Sequence, residues 1–112
     1  MLTDRARDLA IGGILRSPTV MVGLLTASGE VVSDNYMRQL VWLSLPRPGN
    51  TGRVVANGSE VRFPPMLSQT VVTGWLLADE QGELAREALA PRQYEINDAP
   101  VFRAGALSLE IV

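Results

Sequence analysis

The residues most able to do chemistry in this sequence are four carboxylates gathered around one glycine. Asp79, Glu80, Glu83 and Glu87 lie close to Gly82, and carboxylate oxygens are the ligands that Ca²⁺ prefers. Their spacing does not match the loop of an EF-hand. A solvated turn between two strands accounts for the same residues. We therefore expect a turn at this position and no metal site.

A second motif, Asn57–Ser59, permits a chemical and a conformational interpretation. The triplet Asn-Gly-Ser matches the acceptor pattern for N-glycosylation. Asn-Gly is also the preferred pair for the type I′ turn of a β-hairpin. The sequence favours the turn and predicts a two-residue hairpin that joins strands over residues 53–56 and 59–63.

The amino-acid inventory removes several classes of enzyme chemistry. The chain has no cysteine and no histidine, and all ten of its basic residues are arginine. Thiol nucleophiles, imidazole bases, lysine Schiff bases and zinc sites of Cys and His are therefore excluded. We predict that the protein is not an enzyme and has no catalytic, cofactor-binding or metal-binding residue. The least favoured alternative is a carbohydrate-binding or hydrolytic domain that uses carboxylates as acid and base.

Charge and hydropathy also limit the partners. The 112 residues carry a net charge of −2, and the arginines are spread from Arg5 to Arg103 without forming a basic stripe. We expect no nucleic-acid partner. The longest apolar runs, at 19–27 and 71–78, are far shorter than the roughly 20 residues of a membrane-spanning helix. The N-terminus alternates in charge sign and does not resemble a targeting segment, so we expect no membrane partner and a protein made in the cytoplasm.

The N-terminal residues 1–17 are predicted to form a helical arm. Leu2, Leu9 and Ile14 recur at helical spacing, and Pro18 ends the pattern. So short a helix is marginal in isolation and needs a surface to lie on. That surface belongs to a partner subunit or to the same domain, and the pattern favours the partner.

Residues 18–112 are predicted to form one β domain. Short apolar or alternating segments are separated by turn signals, at 19–26, 30–33, 37–45, 53–56, 59–63, 69–78, 83–89 and 106–112. We expect 69–78 at the centre of the fold, and 83–89 as a strand, with a helix as the alternative. Trp42 and Trp75 are expected in the core, with a place at a subunit interface as the alternative. The fold class predicted is mainly β, an antiparallel β-sandwich or jelly-roll-like domain with an N-terminal helix.

The order of these segments resembles that of a known protein family. After the helical arm come VMVGLLTASGEVV, YMRQLVWLSL, NGSEVRFPP, TVVTGWLLADEQGEL and a closing GALSLEIV. This series is similar to that of small virion structural proteins of tailed bacteriophages. The positions that match the family's motifs are Tyr36, Arg38, Gln39, Phe63, Pro64, Trp75 and Asp79.

The resemblance implies a structural role in the virion. The leading hypothesis is a capsid decoration protein, of the cement or stapling kind, that binds the outer surface of the capsid and stabilises it. The alternative is a structural protein of the tail fibre or baseplate. The expected partners are further copies of the chain, in a dimer or trimer, and the major capsid protein or, alternatively, tail proteins. The candidate subunit or capsid contacts are Leu2, Leu9, Ile14, Tyr36 and Arg38.

Overall fold

The computed structural model describes residues 20–44, 47–48 and 53–111. Within them the chain is mainly β and forms antiparallel sheets. The strands are β1 (Met21–Thr26), β2 (Gly29–Glu30), β3 (Gln39–Leu40), β4 (Arg47–Pro48), β5 (Arg53–Ala56), β6 (Val61–Arg62), β7 (Thr70–Asp79), β8 (Gly82–Tyr94), β9 (Val101–Phe102) and β10 (Ser108–Ile111). The predicted helical arm lies outside the described residues. No described part of the chain forms a helix long and apolar enough to span a membrane.

The largest sheet has the order β2-β1-β7-β8, and β3 also pairs with β1. β7 therefore lies between two strands, which confirms its predicted place at the centre of the fold. β8 confirms the predicted strand over residues 83–89, for which a helix was the alternative. Residues 83–89 contain good helix formers, but continuous pairing with β7 outweighs such weak local preferences.

Two tight turns connect neighbouring strands of this sheet, β1 with β2 and β7 with β8. Thr26 pairs with Gly29 around one turn, and Asp79 pairs with Gly82 around the other. The two glycines have φ angles of +124° and +134°, a region that residues with a Cβ atom rarely adopt. The predicted turn at the acidic motif is therefore confirmed. There the Asp79 carboxylate accepts a hydrogen bond of 2.9 Å from the backbone N–H of Gln81.

The predicted hairpin at Asn57 is wrong. β5 pairs with β4 and β10, whereas β6 pairs with β9, so the two predicted arms belong to different sheets. Asn57 is only 1% exposed, and its amide Nδ2 donates hydrogen bonds of 2.9 Å to the carbonyl oxygens of Ser59 and Arg103. The asparagine thus serves as a buried connection between segments distant in sequence, which local turn statistics do not anticipate.

The segment at 37–45 is a strand over a much shorter length than predicted. Among its described residues, 37–44, only Gln39 and Leu40 join a ladder, with β1, and Leu43 makes a single bridge to Asn57. The predicted strand at 30–33 contributes Glu30 alone, as the end of β2. By contrast β1 and β10 lie within their predicted segments and confirm them.

The large sheet shares one hydrophobic core with two smaller sheets, which have the orders β10-β5-β4 and β6-β9. It contains Val20, Val22, Leu24, Val31, Val41, Val55, Val61, Phe63, Met66, Val72, Trp75, Leu77, Leu84, Ala85, Tyr94, Leu107 and Leu109. Trp75 is 3% exposed and confirms its predicted place, but Trp42 is 61% exposed, so its assignment to the core is wrong. The opposite face of the large sheet carries a small second cluster of Leu25, Leu76 and Ala78.

Candidate interaction surface

Tyr36 and Arg38, two of the predicted contact residues, meet at Glu30. The Arg38 guanidinium donates two hydrogen bonds to this carboxylate, from Nε to Oε2 at 3.0 Å and from Nη2 to Oε1 at 2.9 Å. The Tyr36 hydroxyl donates to Oε2 at 2.5 Å and accepts from the backbone N–H of Leu24 at 3.0 Å. The three side chains form one network, here called the Glu30 cluster.

The hydrogen bonds of the Glu30 cluster shift the pKa values of its members. The hydrogen bond from Arg38 lowers the pKa of Glu30 below its usual range, and the bond from Tyr36 acts in the same direction against partial burial. Burial, together with the bond to Glu30, raises the pKa of Tyr36 well above its ordinary value. The bond to Glu30 also raises the pKa of Arg38. The cluster therefore keeps an ionised carboxylate, a neutral phenol and a charged guanidinium.

The Glu30 cluster is positioned by the sheet beneath it. Glu30 pairs with Leu25 in the β1–β2 hairpin, and the Tyr36 ring stacks on Phe63 with the centroids 6.3 Å apart and the planes at 2°. Gly23 leaves room for the polar atoms, since a Cβ atom there would lie 2.6 Å from Glu30 Oε2 and 2.8 Å from the Tyr36 hydroxyl. The polar groups of Tyr36 and Arg38 thus have partners within the chain.

An exposed apolar surface follows this cluster directly in the sequence. Leu40 is 66% exposed and Trp42 is 61% exposed. Successive side chains of an extended chain alternate between two sides. Val41 is buried and Leu43 packs against the core, so Leu40 and Trp42 lie together on the opposite side. We call this pair the Leu40–Trp42 strip.

The backbone of the Leu40–Trp42 strip is held by hydrogen bonds to Val20 and Gly58. The N–H of Val41 donates to the carbonyl oxygen of Val20 at 3.1 Å, and the N–H of Gly58 donates to that of Trp42 at 2.6 Å. The strip is therefore a preorganised apolar surface. Sequence reasoning did not identify the strip, because it favoured the core for Trp42 and kept an interface only as the alternative. The alternation of Val41 and Leu43 with their neighbours is the signal that identifies the outward side.

The remaining predicted contact residues, Leu2, Leu9 and Ile14, lie outside the described residues. The predicted acidic motif is engaged in local interactions, since Glu83 Oε2 accepts a hydrogen bond of 2.7 Å from Arg86 Nε. In the described part of the chain no group of three or more acidic side chains is placed to hold a metal ion.

The described residues thus present an exposed apolar strip and, close by in sequence, a charged network whose members are bound to one another. A scan against protein-family models and a search of curated proteins both find no significant match to this chain.

Proposed function

We propose that this chain is a structural protein of a tailed-bacteriophage virion, and that it decorates the outer surface of the capsid and stabilises the shell. The role requires neither a catalytic step nor a cofactor. The order of the sequence motifs supports the family, and the antiparallel β architecture is compatible with it. A protein that binds only the assembled lattice stabilises it by mass action at every copy, so modest contacts repeated over a shell have a large total effect.

The observation that carries a binding role is the Leu40–Trp42 strip. Tryptophan is enriched among the residues that dominate binding energy at protein interfaces. Trp42 and Leu40 together place two large apolar side chains in solvent, on a backbone tied to Val20 and Gly58. Such a surface loses little conformational entropy when a partner covers it.

The finer architecture is part of the proposal. The three antiparallel sheets would form a β-sandwich of the jelly-roll type, and residues 1–17 would form the helical arm. Leu2, Leu9 and Ile14 would contact a neighbouring subunit in a dimer or trimer or, alternatively, close the chain's own domain. The Leu40–Trp42 strip would face the major capsid protein.

Binding to capsids that lack the protein tests the proposed function. We expect wild-type protein to bind and to raise the melting temperature of the shells. Trp42→Ala should bind at least about tenfold more weakly, as expected for a central aromatic contact. Val32→Ala is the matched control, because Val32 is 96% exposed and lies outside the strip. Equal binding by the wild type and Trp42→Ala would contradict a role of the Leu40–Trp42 strip in capsid binding.

A mass-spectrometric census of purified virions separates the capsid from the tail. A decoration protein occurs in proportion to the capsid subunits, whereas a tail-fibre or baseplate protein occurs in far fewer copies. A low copy number would favour the tail alternative, and absence from the virion would contradict both.

Deletion of residues 1–16 tests the arm. If the arm binds a partner, the truncated protein keeps its β-sheet circular dichroism but loses its native oligomeric state or its binding to shells. If the arm closes its own domain, the truncated protein unfolds. A folded truncated protein with native oligomeric state and full binding would contradict a role of the arm in assembly.

A further inference from the structure

A concave surface, separate from the Leu40–Trp42 strip, lies between the end of β8 and the β9 segment. This groove has a volume of about 290 Å³. Its apolar lining includes Val72 and Tyr94 from the large sheet, Val101 and Phe102 from β9, and Leu89 from β8. None of these residues belongs to the Glu30 cluster or to the Leu40–Trp42 strip.

Two arginines, Arg92 and Arg103, also line the groove. The Arg92 guanidinium lies over the Tyr94 ring, 4.9 Å from its centroid, so it is oriented by a cation–π contact. Arg38, Arg62 and Arg86 each form an ion pair. Neither groove arginine forms an ion pair with any described residue. The apolar groove therefore carries two positive charges that an anionic group could neutralise.

The size of the groove limits what can occupy it. Pockets for whole small molecules usually have volumes of about 300–1,000 Å³, and this groove lies just below that range and is open to solvent. It has room for one large apolar side chain, with the arginines placed to meet carboxylates beside it. Arginine recognises carboxylates through planar, paired hydrogen bonds.

We propose that the groove binds an acidic peptide segment of a partner protein, with an aromatic side chain inserted between Tyr94 and Phe102 and carboxylates paired with Arg92 and Arg103. The aromatic ring gains apolar contact with the lining. The flanking carboxylates supply the negative charge that the lining lacks. This inference does not depend on the proposed capsid role, because the groove and the strip share no residues.

A titration with short peptides tests the proposal. The probe is the peptide Ac-Asp-Phe-Asp-NH₂, added to the full-length ¹⁵N-labelled protein and followed by the backbone amide resonances. We expect shifts confined to Val72 and its immediate neighbours and to residues 89–94 and 101–106, and weaker binding as salt screens the charges. Two comparison peptides, Ac-Asn-Phe-Asn-NH₂ and Ac-Asp-Ser-Asp-NH₂, remove the charge and the aromatic ring in turn, and each should bind several times more weakly.

Charge-matched variants identify the groove as the site. Arg103→Gln and Arg92→Gln should each weaken binding of the acidic aromatic peptide by about twofold to fivefold, the upper part of the range for exposed charge pairs. Arg86→Gln removes the same charge from β8 on the opposite face of the sheet, where Arg86 pairs with Leu76 in the ladder, and it should leave binding unchanged. Arg92 and Arg103 are both exposed, so each variant tests the site even if the other fails to fold. The proposal is overturned by equal binding of the neutral peptide, by equal losses in Arg86→Gln, or by no shifts up to about 10 mM peptide.

Discussion

Asn57 and Leu107 are joined by a reciprocal pair of hydrogen bonds although fifty residues separate them. The backbone N–H of Asn57 donates to the carbonyl oxygen of Leu107 at 3.1 Å. The backbone N–H of Leu107 donates to the side-chain Oδ1 of Asn57 at 2.9 Å. Because the same side chain also donates to Ser59 and Arg103, one buried amide connects the segment between β5 and β6 to the segment between β9 and β10.

Replacing Asn57 should therefore be strongly destabilising. We expect Asn57→Ala to lower the free energy of unfolding by about 2–4 kcal/mol, since it leaves buried N–H and carbonyl groups without partners. Asn57→Asp should cost at least as much, because a carboxylate cannot donate to the carbonyl oxygens of Ser59 and Arg103. Urea denaturation followed by circular dichroism measures both effects.

Gly58→Ala provides the control for this prediction. Gly58 is not among the residues with positive φ in the described part of the chain, and an added Cβ would lie 3.3 Å from the carbonyl oxygen of Trp42. Such a contact requires only a small shift, so we expect a cost below about 1 kcal/mol. A Gly58→Ala variant less stable than Asn57→Ala would contradict the central role of the buried amide.

We expect any side chain at position 23 to disrupt the hydrogen bonds of the Glu30 cluster. Gly23→Ala should cost about 1–3 kcal/mol, because its Cβ would displace Glu30 and Tyr36 from their shared hydrogen bonds. Tyr36→Phe alone should cost about 1–2 kcal/mol, since it removes the partner of the Leu24 N–H. In the Tyr36→Phe background Gly23→Ala should cost less than in the wild type. Strictly additive costs in a double-mutant cycle would contradict this coupling.

Acidification should weaken the fold through Glu30. Its pKa is lowered in the folded protein by the hydrogen bond from Arg38, so the stabilisation is complete above the ordinary glutamate pKa of about 4.3. It is lost as the pH falls through the lower folded-state value. Glu30→Gln should lower the free energy of unfolding by about 1 kcal/mol near neutral pH. This difference from the wild type should shrink towards zero in acid.

Glu60→Gln is the matched control for the pH experiment. Glu60 forms an ion pair of 3.3 Å with Arg62, and both side chains are more than half exposed. Loss of this ion pair should change the free energy of unfolding by less than about 0.5 kcal/mol. A gap between the wild type and Glu30→Gln that stays constant from neutral to acid pH would show that the charge of Glu30 does not stabilise the fold.

The two tryptophans should report separately on surface and core. Trp42→Phe leaves only the buried Trp75, whose fluorescence should be blue-shifted and resistant to acrylamide. Trp75→Phe leaves the exposed Trp42, whose emission should be red-shifted and readily quenched. If a second copy or a capsid subunit covers the Leu40–Trp42 strip, the quenching of Trp42 should fall as the complex forms. Protection of Trp42 in dilute isolated protein would contradict its exposure.

The elements best predicted from the sequence are those whose local pattern agrees with their tertiary environment. β1, β7 and β10 are apolar or alternating runs bounded by glycine, and β7 is recognisably central because it is apolar on both faces. The turn at Asp79–Gly82 was also predictable, because hairpin turns of two residues depend on local geometry. β8 was predicted as a strand with a helix as the alternative, because its local residues suit both and only its register with β7 decides the conformation.

The candidate site was less predictable because its residues act through partners distant in sequence. Tyr36 and Arg38 were singled out by motif, but nothing in the local sequence indicates that Glu30 joins them. Asn57 shows the same limit more sharply. Its local context favours a hairpin, and only burial against residues 103 and 107 gives it another role. Trp42 was misplaced because its size favours the core, while the alternation of its neighbours places it outside.

The pairing of β1 with β7 has a kinetic consequence. Met21 pairs with Ala78, Ala56 pairs with Ser108, and Val61 pairs with Phe102, so each of these ladders closes a long loop. A chain must lose this loop entropy before the paired strands stabilise it, and domains dominated by such distant pairings fold on the order of milliseconds to seconds. Until the ribosome has made β7, the edge of β1 that pairs with β7 has no partner strand. Newly made chains at high concentration are therefore vulnerable to mispairing before the central ladder closes.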